Sequence, residues 1–108
     1  MAFSSSPWDA GKVKASQEAG AYCRCCLMDL NMGEKTKDAC KLPVRSTPGG
    51  AYNLNAMSAA AAALAGARGG LNAPAEEKRK AARRLVRLYR QAKKEPPPAL
   101  LRVAGSRG

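Results

Sequence analysis

From Ala73 to Lys94 the chain reads APAEEKRKAARRLVRLYRQAKK, and its apolar positions keep helical time. Ala81, Leu85, Leu88 and Ala92 recur at spacings of 4, 3 and 4, and Ala82, Val86 and Tyr89 widen the stripe. Pro74 suits a first helical turn, Glu76 and Glu77 suit its positive end, and Lys93 and Lys94 suit the other end. The pattern predicts a helix over about 74–94. A second helix is predicted over about 54–67, where Met57, Ala60, Ala61 and Leu64 share a side and the remaining positions are mostly alanine. Asn53 or Asn55 is its candidate cap, and Gly66, Gly69 and Gly70 mark its end.

Upstream the period changes. Residues 21–45 predict a hairpin, with AYCRCCLMDL as one strand, a polar turn around Asn31 to Asp38, and ACKLPVR as a short return. Pro43 lacks a ladder donor, so the return strand is an edge or stops there. Ser46 to Gly50 is a turn in which Gly49 and Gly50 are free to take positive φ.

Residues 1–20 have no period and predict an extended arm carrying Phe3 and Trp8. Residues 96–108 predict a Pro-rich exit and tail carrying Leu100 and Leu101. The expected class is α+β: a short hairpin packed with two antiparallel helices in one small domain over 21–95, with extended arms at both ends.

Composition thins the expected core. Of 108 residues 22 are alanine, and Leu, Val and Phe together number 15, so burial must be supplemented by a partner or by cross-links. The net charge of +11 is uneven: residues 68–108 hold a surplus of nine, against two for the rest. An acidic partner is implied, whether protein or nucleic acid. No stretch approaches the ~20 apolar residues of a membrane span, and the first residues lack the pattern of a signal peptide, so no membrane partner is expected.

The chain has no histidine, which excludes His-based triads and His metal ligands. Its acidic residues are scattered, and TPGGAYN matches neither a P-loop nor a dinucleotide fingerprint. No enzyme activity, cofactor or metal is therefore expected. Cys23, Cys25, Cys26 and Cys40 are the reactive set. Their C-x-C-C spacing, thirteen residues before a lone cysteine, is unlike paired zinc knuckles. Free buried thiols remain open, as does a hairpin bridge from Cys40 to Cys23, Cys25 or Cys26 that leaves two cysteines for another chain.

The partner-binding candidates are Phe3, Trp8, Leu100 and Leu101 on the arms, with Arg83, Arg84, Arg87 and Arg90 on the basic helix. Those arginines could also meet DNA phosphates, although the helix lacks base-stacking aromatics.

Lys41-Leu42-Pro43, Gly49-Gly50, Asn53-Leu54-Asn55-Ala56, Pro74-Ala75-Glu76 and the run Leu85 to Tyr89 occur in that order. Over about residues 21–100 this series resembles a small domain of tailed-bacteriophage structural, head-associated proteins. The resemblance implies a virion protein made in the host cytoplasm and carried in multiple copies or as a homo-oligomer. Within that class a capsid-surface decoration or cement protein, binding the major capsid protein or other virion proteins and locked by disulfides, is the leading expectation. A DNA-binding or DNA-packaging accessory is the alternative, with an internal scaffold third. No catalytic residue is implied.

Overall fold

A computed structural model describes residues 3–66 and 73–105. Among them are five α-helices and two small two-stranded sheets, an α+β arrangement. Two units divide the chain, one ending at Met57 and the other beginning at Ser58. Each is built by its own logic.

The first unit opens with β1 (Phe3–Ser4), α1 (Ala10–Ser16) and α2 (Ala19–Arg24), followed by β2 (Cys26–Asp29) and β3 (Cys40–Pro43). The expected hairpin exists but is shorter than its sequence suggested. β2 and β3 are antiparallel, with Met28 opposite Lys41 and Asp29 opposite Cys40. The start of the predicted strand, AYCR, is instead helical. Tyr22 and Cys23 are the buried residues of this helix, and Cys26, which begins β2, joins them in one cluster. The hairpin's helical neighbour is therefore α2.

Asn31 closes the hairpin loop. Its side-chain oxygen accepts from the Thr36 backbone N–H at 2.9 Å, and its amide donates to Thr36 O at 3.2 Å. Pro43 ends β3, yet Val44 N–H still donates to Cys25 O at 2.9 Å, so pairing runs one residue past the proline. Leu42 sits in β3 at φ 66°. A left-handed conformation costs about 1–2 kcal/mol for such a residue. Burial of the leucine side chain, worth about 1.5–3 kcal/mol, offsets it.

The turn that follows needs both glycines, for different reasons. Gly50 N–H donates to Thr47 O at 3.0 Å, Pro48 holds the second position, and Gly49 takes φ 78°, the type II geometry. Gly50 is confined by space instead: a Cβ there would lie 2.6 Å from Thr47 Oγ1. Positive φ is thus required at Gly49 only.

β4 (Tyr52–Asn53) leads directly into α3 (Leu54–Leu64). Asn53 is the cap, accepting from Ala56 N–H at 3.0 Å. Its amide also donates to Ser6 O at 3.0 Å, and the Asn55 amide donates to Ser5 O at 3.1 Å and Ser6 O at 2.8 Å. The N-terminal segment is therefore held, with β1 pairing parallel to β4. The expected extended arm over 1–20 is corrected: beyond this strand it folds into α1, capped by Asp9, whose carboxylate accepts from Lys12 N–H at 3.1 Å.

The second unit contains α4 (Ala75–Gln91) and α5 (Pro98–Ala104). The apolar stripe of α4 is buried as its spacing dictates, from Ala81 and Ala82 through Leu85, Val86, Leu88 and Tyr89. Lys94 N–H donates to Tyr89 O and Lys93 N–H to Arg90 O, at 2.9 and 3.0 Å, with Lys93 at φ 58°, which is a Schellman close. α5 then packs on α4. The expected extended tail is thus also corrected. α4 is closed at Lys93 before Pro96-Pro97-Pro98 is reached, and Pro98 at the first position is suited to start the next helix, so α5 buries Leu100 and Ala104 completely or nearly so. α3 is shorter than the expected 54–67, ending at Leu64 with Gly66 at φ 102°, while Gly69 and Gly70 lie outside the described residues.

Two substitutions test these devices. Asn53→Ala removes a cap and the amide that holds Ser6, and should cost about 1–2 kcal/mol in urea denaturation. Lys93→Gly removes the left-handed penalty at an exposed site and should raise stability by about 1 kcal/mol.

Candidate functional site

The first unit's reactive group is a cysteine cluster. Cys23 of α2 and Cys40 of β3 form a disulfide, with Cα atoms 5.3 Å apart. Among the three partners open to Cys40, the helical turn over Ala19–Arg24 selects Cys23. Val13, Tyr22 and Cys26 complete a buried cluster with this bond, and Trp8 packs against it.

Cys25 and Cys26 are free thiols, both buried. Burial pushes both thiols up, Cys26 to about 12. The Cys26 thiol donates to Tyr22 O at 3.3 Å. The expectation that two leftover cysteines await another chain is corrected, because both are used as small apolar core residues. Asp29 lies within 4.8 Å of the Cys23 and Cys40 sulfurs. In the disulfide those sulfurs are not the thiolates that zinc requires. The Lys35 ammonium beside Asp29 holds its carboxyl below the usual carboxylate range.

The aromatic candidates are engaged within the same unit. Phe3 stacks on Tyr52 with ring centroids 6.0 Å apart, and the Arg45 guanidinium lies 4.9 Å from the Tyr52 ring centre. Trp8 is half-buried and, with Pro7, Lys12, Val13, Ser16 and Ser46, lines an open hollow of about 460 Å³. Neither residue extends away on an arm.

In the second unit Leu100 is wholly buried and Leu101 partly so, which corrects the picture of both as exposed tail anchors. Arg83, Arg84, Arg87 and Arg90 are exposed along the solvent side of α4. Arg83 Nε donates to Ala104 O at 3.1 Å, answering a terminal carbonyl of α5. Lys80 pairs with Glu77 at 3.7 Å in the N-terminal half of α4, whereas the C-terminal half is rich in arginine. Val86, Ala104 and Gly105 combine with Arg83, Arg87 and Arg90 to line a hollow of about 240 Å³. The arginines are evident in the sequence, but the concavity is not, since it depends on α5.

No protein-family model matches the chain, and comparison with characterised proteins and with solved structures finds no significant match either. No helix among the described residues is long and apolar enough to cross a membrane.

The thiol assignment has a direct readout. Mass spectrometry after iodoacetamide treatment at pH 8 should find the native protein essentially unlabelled, and two alkylations once it is unfolded without reductant. Reduction before unfolding should raise this to four. Rapid native labelling of Cys25 or Cys26 would contradict their burial.

Proposed function

We propose that this chain is a bacteriophage virion structural protein, a capsid-surface accessory of the decoration or cement type that binds neighbouring subunits. The observation that carries the reading is the charge of α4: one side is buried apolar surface, and the other presents Arg83, Arg84, Arg87 and Arg90 to solvent. An exposed basic helix face is suited to docking on an acidic protein surface, where it speeds encounter and fixes orientation.

Two further features support it. The residues resembling tailed-phage head modules fall on fold-defining positions: Lys41 to Pro43 in β3, Asn53 at the α3 cap, Pro74 before α4 and Leu85 to Tyr89 in its core. They read as an architectural signature rather than a reaction centre. The Cys23–Cys40 bond also suits a protein that functions outside a reducing cytosol. The bond lies within one chain, so attachment to neighbours rests on non-covalent contact.

The same guanidinium-rich face suits a DNA-packaging accessory acting through residues 78–94, and the two readings separate experimentally. Proteomic analysis of purified virions should find the chain in many copies per particle, and its absence from virions overturns the capsid reading. A salt titration with duplex DNA should show only weak, non-specific binding, whereas tight binding that collapses with salt favours the packaging role.

A further inference from the structure

The hollow between α4 and the end of α5 has a chemistry of its own. Arg83, Arg87 and Arg90 stand at i, i+4 and i+7, so the three arginines share one face of α4, and all three line one concavity. Arg83 is tethered through Nε to Ala104 O, which leaves its terminal nitrogens as donors. Among the described residues Arg87 and Arg90 meet no carboxylate. Three like charges on one face, with no carboxylate paired to them among the described residues, favour an anion that enters.

Size and lining narrow the ligand. At about 240 Å³ the hollow is smaller than the roughly 300–1,000 Å³ usual for small-molecule sites. Its wall also includes the apolar side chains of Val86 and Ala104. A glutamate side chain matches both properties: its methylenes cover the apolar wall, while its carboxylate takes paired N–H donors from an arginine fork. A DNA phosphate carries sugar on either side and has no aliphatic stem to place there.

We propose that this hollow is a receptor for a glutamate side chain of an acidic protein segment, with Arg87 and Arg90 as the principal carboxylate donors and Arg83 fixing the α5 wall. The inference rests on the capsid-docking reading above and names the partner chemistry of that face.

Fluorescence anisotropy with the full chain tests it, using a labelled Gly/Ser peptide bearing spaced glutamates and a matched glutamine peptide. At about 0.15 M salt the glutamate peptide should bind at least ~10-fold more tightly than the glutamine one. Arg87→Lys keeps the charge and the helix propensity but loses the fork, and should weaken binding about 10-fold. Lys94→Ala, which removes a charge outside the hollow, should change it less than about 2-fold.

Circular dichroism checks that both variants remain helical. Amide NMR shifts on adding the peptide should centre on residues 83–90 and 104–105. Equal loss in the two variants, an unaffected Arg87→Lys, shifts centred elsewhere, or binding of duplex DNA in preference to the peptide each overturns the proposal. None of these results bears on whether the chain is found in virions, so the two readings fail separately.

Discussion

The Cys23–Cys40 bond joins α2 to β3, and the first unit is arranged around it. Val13 from α1, Tyr22 from α2 and Cys26 from β2 bury against the same point, with Trp8 closing one side. No large aliphatic side chain other than Val13 takes part, so apolar burial alone contributes little at this place. A bond closing a loop of 17 residues contributes about 3 kcal/mol, comparable to burying one or two large side chains. A chain so rich in alanine thus replaces part of a core with covalent constraint. The surface ion pair between Lys14 and Asp38, at 2.7 Å, ties α1 to the turn before β3 but adds little energy of its own.

The second unit solves the same shortage without a cross-link. Small residues on α4, Ala81 and Ala82, are fully buried, as are Leu85 and Leu100. α5 supplies part of that burial, and Arg83 satisfies its last turn. The arginine side chain therefore serves the fold through Nε while it also lines the hollow. This division of one guanidinium between two tasks couples the basic face to the helix pair beneath it.

Legibility followed how local the determining physics was. The helical stripe of α4, a cap at Asn53 or Asn55 and a turn over Ser46 to Gly50 depend on neighbours in sequence and are legible there, although the choice of Asn53 and of Gly49 is not. The helix at Ala19–Arg24 is not legible, because its buried residues Tyr22 and Cys23 pack against Cys26 and Cys40 of the hairpin, contacts that only the tertiary fold supplies. Around Phe3, Trp8 and Leu100 the sequence has no periodicity and therefore predicts arm anchors. What holds the N-terminal segment is a pair of asparagine amides some fifty residues away, donating to Ser5 and Ser6, a long-range contact with no local signature. The arginine hollow was half legible: its charges were evident, its shape was not.

The burial of Cys25 and Cys26 has a consequence for how the molecule matures. During oxidation Cys40 meets three candidate sulfurs within a four-residue stretch, and an early bond to the wrong one would place β3 out of register with β2. Exchange proceeds through thiolate, and burial disfavours the thiolate at both neighbours. Once α2 and the hairpin are in place, the two spare sulfurs are silent, and the native bond is protected from reshuffling.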